Sequence, residues 1–210
     1  MSCRVRDAIS GYTHLGGLLV GCAGAVALLI RVRSSDVFVP TIAYVITLLL
    51  LYAASSAYHL IPGSARVTER LRKLDHSAIF LFIAGTCTPV FWRAFQGSTR
   101  QWMLVTLWVL AALGILMRIA WMGAPRVLYT VTYVAMGWLV LVKGTTAFRA
   151  LPGLALALVV AGGITYTLGA IVYATKRPNP IPRIFGFHEI WHLFVLGGST
   201  LHYAAIFVLG

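Results

Sequence analysis

His188 and His192 are four residues apart, so a helix through them sets both imidazoles on one face, where they can grip a single metal ion. The run His188-Glu189-Ile190-Trp191-His192 also has the spacing in which two histidines bind zinc and the glutamate between them acts as general base. That chemistry needs a third ligand. His202, ten residues further on, would lie about 15 Å along the same helix at ~1.5 Å per residue, and it cannot reach the same ion. The third imidazole must come from another element, and His59 is the best-placed candidate. Ser55 shares a helix face with His59, and Asp75 opens an apolar stretch beside His76.

Three neutral imidazoles with an open fourth position suit a catalytic zinc, water filling the fourth place. Asp75 would orient that water or take its proton, and Ser55 would add a supporting hydrogen bond. Two other readings use the same residues. Histidines also serve as hydrogen-bonding links between membrane helices, and a carboxylate fixed on the ion would make a closed, structural zinc.

These residues can act together only if the elements carrying them bring them to one depth. Of the 210 residues, 60% are hydrophobic and only 10% charged, with a mean hydropathy of +0.87. A soluble domain is about 25% charged, so a water-facing surface cannot be built from this composition. Seven spans of about 20 residues would use nearly the whole chain. The expectation is an all-α, polytopic membrane protein: one seven-helix transmembrane bundle over residues 1–210. The helices are expected at 12–30, 38–60, 75–95, 101–117, 127–146, 153–174 and 188–209, with Gly and Pro punctuating the joints. Segment 64–73 reads equally as a short interfacial helix or a solvated loop. Trp92, Trp102, Trp121 and Trp191 fall near span ends, as interface-anchoring aromatics do.

With seven spans, the N-terminus and the loops after helices 2, 4 and 6 share a side. That side holds Arg4, Arg6, Arg66, Arg70, Arg72, Lys73, Arg118, Arg126, Lys176, Arg177 and Arg183. Arg31, Arg33, Arg93, Arg100, Lys143 and Arg149 fall on the other. Eleven against six predicts a cytoplasmic N-terminus and an external C-terminus in the cell's inner (plasma) membrane. The net charge of +12 therefore belongs to loops facing anionic lipid, and no basic domain exists to bind nucleic acid. Cys3, Cys22 and Cys87 form no CxxC pair; the latter two read as small packing residues. The same topology puts His59, Asp75, His188 and His192 on the inner side, although about 130 residues separate the first from the last.

An ionised side chain within a span costs roughly 2.5–3.5 kcal/mol, so Asp75 and Glu189 need a partner or a purpose. For Glu189 the favoured purpose is a pairing with Arg183 or Arg177 at the interface. His14 could line the same pocket, with packing an equal alternative, while His76 points away from Asp75 and His202 reads as structural. Gly85, Gly162, Gly163, Gly169, Gly197 and Gly198 read as positions of close helix approach, and Pro89 as a kink.

The motifs Ser55-Ser56-Ala57-Tyr58-His59, Leu74-Asp75-His76-Ser77-Ala78 running to Thr86-Cys87-Thr88-Pro89, and His188-Glu189-Ile190-Trp191-His192 resemble the hemolysin III family. That family is the bacterial branch of the progestin and adipoQ receptor superfamily. Thr13-His14 extends the likeness almost across the chain, although the segment before it matches less well and Cys87 stands where relatives often carry an aromatic. The resemblance implies zinc near the cytoplasmic side on His59, His188 and His192, with Asp75 holding its water and Ser55 nearby. It also implies membrane lipids as partners and a lipid-directed, zinc-dependent hydrolase of the lipid-amide type that serves membrane composition or fluidity. A non-enzymatic sensor or receptor with structural zinc and a pore-forming cytolysin are the alternatives; transport is weaker, since no span pairs charges near mid-membrane.

Overall fold

The computed structural model describes residues 7–182 and 184–210. Cys3, and the basic residues Arg4, Arg6 and Arg183 of the charge count, lie outside the described residues. The helices are α1 (Ala8–Val32), α2 (Phe38–Leu60), α3 (Ala65–Ala94), α4 (Gly97–Ala120), α5 (Arg126–Gly137), α6 (Gly144–Ala150), α7 (Gly153–Thr175) and α8 (Phe187–Leu209). A 3-10 turn, Leu139–Lys143, joins α5 to α6, so Arg126–Ala150 makes one crossing and the described residues make seven. Leu19, Val20, Val39 and Val142, each at least 67% exposed, project outward. Apolar surface of that extent is stable only against lipid tails. The chain is a multi-pass membrane protein.

Two element boundaries need correction. Segment 64–73 is neither a loop nor a separate helix but the first turns of α3, whose 30 residues exceed what a ~30 Å hydrocarbon layer requires. Ser64 caps this extension, its Oγ accepting from Val67 N at 3.4 Å, and Glu69 pairs with Lys73 at 3.1 Å. The fifth crossing, expected as one helix, breaks at Gly137-Trp138. Trp138 Nε1 there donates to Thr167 Oγ1 on α7 at 2.9 Å, which ties the break to its neighbour.

Helix α3 is the hub, packing against α2, α4, α5 and α8. Its most apolar window is 67% buried, against 17% for α1, which lies between α2 and α8 at the periphery. Small residues permit the close approaches: a Cβ on Gly85 would run into the Thr47 side chain and lie 3.0 Å from the Ala43 carbonyl of α2. Gly197 is the exception among the expected contact glycines, with only ordinary contact to Thr165. Trp102 and Trp121 are exposed, as anchors should be, whereas Trp191 is buried against Tyr173, ring centroids 5.3 Å apart. Cys22 is exposed on α1 and does not pack inside; Cys87 is buried. Pro89 is accommodated within α3, and Thr88 Oγ1 before it donates to the Ala84 carbonyl at 2.6 Å.

This packing gathers the end of α2 and the beginnings of α1, α3 and α8 at one end of the bundle. Gly85→Ala is expected to destabilise the α2–α3 contact by about 1–3 kcal/mol through overpacking. Gly16→Ala meets open space and should unfold at or above the wild-type temperature. Thermal unfolding in detergent reads both; equal midpoints for the two variants would contradict the packing account.

Candidate metal centre

His59 lies one residue before the end of α2, and His188 and His192 occupy the first two turns of α8. His188 Nε2 stands 3.4 Å from His59 Nε2 and 3.2 Å from His192 Nε2, and ligand atoms of all three lie within 4.8 Å of one another. Two nitrogens each about 2.0–2.1 Å from a tetrahedral ion are roughly 3.3–3.4 Å apart. Two of the three pairs therefore have the spacing of a ligand set, and the cluster could hold a metal ion. A neutral imidazole offers at Nε2 either one proton or one lone pair, so His188 cannot bond well to both neighbours at once. A shared cation would satisfy all three nitrogens, which a set of hydrogen-bonded links cannot do.

Asp75, ten residues into α3, and Ser55, one turn before His59, line the same cavity of about 340 Å³ as the histidines. The Ser55 hydroxyl shares this wall with the Asp75 carboxylate. Asp75 stands outside the group whose ligand atoms converge, so the convergent set is three imidazoles without a carboxylate. His14 also lines the cavity, its ring centroid 4.0 Å from that of His192. His76 and His202 lie outside the cluster: His76 Nδ1 is 2.9 Å from Arg118 Nη2, and His202 Nδ1 is 2.9 Å from the Gly198 carbonyl.

Two acidic residues have roles that their positions in the chain did not suggest. Asp7, just ahead of α1, places Oδ2 3.6 Å from His59 Nδ1, on the far side of that ring from the cluster. A carboxylate so placed favours the tautomer that presents Nε2 to a metal. Glu189 pairs with neither Arg177 nor, within the described residues, any other cation. Its Oε2 accepts from Gly186 N at 2.8 Å, capping α8, and its Oε1 accepts from Ser10 Oγ at 3.3 Å. It tethers α8 to α1 and takes no general-base position. The capping geometry was detectable in sequence as a Gly186-x-x-Glu189 run; the partnership of Asp7 had no local signal.

A family model described as Haemolysin-III related matches residues 4–203. The chain belongs to the haemolysin-III family. Hemolysin-3 of Bacillus cereus is 34% identical over 204 residues, covering 96% of this chain and 90% of that protein. The Hemolysin-3 homolog of Bacillus subtilis is 34% identical over 199 residues, covering 93% and 90%. A more distant relative, the rice heptahelical transmembrane protein ADIPOR2, is 29% identical over 187 residues and 81% of each chain. The haemolysin-III assignment and the progestin and adipoQ receptor link rest on nearly the full length, not on the histidine motif alone.

Glu189→Ala is expected to cost about 0.5–2 kcal/mol in thermal or denaturant unfolding, the usual loss for a helix cap. Glu189→Gln keeps an acceptor for Gly186 N and should retain both stability and bound metal. Metal loss in the Gln variant equal to that in His188→Ala would instead make Glu189 part of the metal chemistry.

Proposed function

We propose that this haemolysin-III protein is a zinc-dependent, lipid-directed hydrolase of the inner membrane, with a cytoplasmic N-terminus and an external C-terminus, acting in membrane lipid composition or fluidity. The observation that carries the reading is the convergence of three imidazoles, ligand atoms within 4.8 Å of one another, in a cavity that a half-buried carboxylate also lines. The donor set fits zinc, for which imidazole is a preferred ligand and three protein ligands mark a catalytic site. His59, His188 and His192 would hold the ion. When bound, zinc supplies a Lewis acid for a substrate carbonyl and makes water a better nucleophile.

The chain's own groups supply the rest. Asp75 accepts a proton from the attacking water at a carboxylate oxygen, with Ser55 orienting that carboxylate. For an amide substrate, the water oxygen bonds to the carbonyl carbon and the C–N bond breaks. Asp75 returns the proton to the departing amine, leaving a carboxylic acid and an amine. Asp7 keeps the His59 ring turned toward the ion. The apolar walls accept acyl chains, as a lipid substrate requires.

Purified wild-type protein is expected to carry near-stoichiometric zinc, and His188→Ala to lose it. Asp75→Ala should keep zinc but lose at least about 100-fold in lipid turnover, the contribution of a positioned base. Negligible zinc in the wild type and His188→Ala alike would end this reading; unchanged turnover in Asp75→Ala would favour a sensor with structural zinc. Asp7→Ala should weaken zinc about 10–100-fold in chelator competition, and Asp7→Glu should recover part of it. An unchanged affinity in Asp7→Ala would remove the orienting role.

A further inference from the structure

A fourth helix ending at residue 117 would leave Arg118 in a loop. Instead α4 continues to Ala120 and the side chain is only 2% exposed. Its guanidinium lies 4.2 Å over the Tyr129 ring, and Nη2 contacts His76 Nδ1 and Met122 Sδ, each at 2.9 Å. Nε and Nη1 have no hydrogen-bond partner among the described residues, and none of the ion pairs among those residues involves Arg118. A guanidinium stays charged at any ordinary pH, so burial cannot be relieved by losing a proton. A buried cation without a counter-ion is costly, and its retention points to an anion that arrives from outside the chain.

Two more arginines share the wall of the same cavity: Arg72 from α3 and Arg126 from α5. Both lack a carboxylate partner among the described residues. All three are close enough to His76 for their charges to act on it. Arg126 is the first residue of α5, where the helix dipole already presents positive charge, and it stacks on Tyr173 at 4.5 Å. Against these three cations, the carboxylates lining the cavity are only two, Asp7, which faces His59, and Asp75. Guanidinium forks supplied from three helices suit a phosphate, which accepts from several directions, better than a carboxylate with its single edge.

We propose that the cavity takes a net-anionic phospholipid through its phosphate headgroup, with Arg72 and Arg126 at the accessible rim and Arg118 neutralising it from the wall; a zwitterionic headgroup, whose ammonium cancels the phosphate, leaves the three cations uncompensated. This rests on the lipid-directed reading of the cavity but not on catalysis there. The apolar remainder of the cavity receives the chains, and the anionic leaflet expected at this end of the bundle supplies the ligand.

The test uses zinc-loaded, delipidated full-length protein in neutral detergent, with phosphatidylglycerol and phosphatidylcholine of identical chains as probes. Native mass spectrometry and thermal unfolding should show at least a ten-fold preference for phosphatidylglycerol. Arg118→Gln and Arg126→Gln should each lose most of that preference, Arg118→Lys should keep part of it, and Arg149→Gln, remote from the cavity, should keep all of it. Equal retention of the two lipids by the wild type, which needs no variant to fold, overturns the proposal; so does an unchanged preference in both Gln variants. Inorganic phosphate matching the thermal shift of phosphatidylglycerol at equal concentration would assign the site to free phosphate and overturn the lipid assignment. His188→Ala separates the two readings. Lost zinc with the lipid preference intact leaves this proposal standing whatever becomes of the hydrolase, and intact zinc and turnover without lipid preference refutes this proposal alone.

Discussion

A polar group inside hydrocarbon has no water to fall back on, so each one must find its partner within the protein or in a ligand. Several of this chain's hydroxyls meet the condition locally. Thr41, Thr88 and Thr167 each donate to the carbonyl four residues earlier in their own helix. Tyr44 and Tyr52 reach across to Ser199 on α8. Among the groups not satisfied this way are the candidate ligand-binding ones. Three imidazoles present like atoms to one another, and a guanidinium lies in the wall without a carboxylate. Both arrangements are poor as internal hydrogen bonding and good as receptors for an ion of the opposite electronic demand.

The fold serves that arrangement by antiparallel packing. Helix α2 ends where α3 and α8 begin, so histidines about 130 residues apart meet without any loop having to carry them inward. Rigid helices hold ligands more firmly than loops, and the approach of α2 to α3 at Gly85 leaves little freedom for either to slide. Helix α1 closes the arrangement from outside. Asp7 at its start touches His59, and Ser10 touches Glu189, so the first helix is fastened to both helices that carry the imidazoles.

The seven crossings were readable because hydropathy reports the solvent directly, and a bilayer is a solvent of fixed thickness. The break at Gly137-Trp138 was not readable in that way: the crossing stays apolar throughout, and what interrupts it is a contact from Trp138 to Thr167 on another helix. The extension of α3 through residues 65–73 escaped for the opposite reason. Its side chains are charged, so hydropathy is silent, and its helical state depends on the Ser64 cap and on continuity with the apolar turns that follow.

The sequence by itself determined the membrane class, the number of crossings and the identity of the three converging histidines, because one-turn spacing and chain parity are properties of the backbone alone. Tertiary structure decided which charges are used. In sequence Asp7 carries no local signal, Glu189 reads as an interfacial partner for arginine and Arg118 as one more cation in a loop. Packing made the first a neighbour of His59, the second a helix cap and the third a buried charge. Side-chain spacing along one helix follows from 3.6 residues per turn, whereas the partner of a charge depends on which helix lies opposite it, and that is fixed only when the bundle closes.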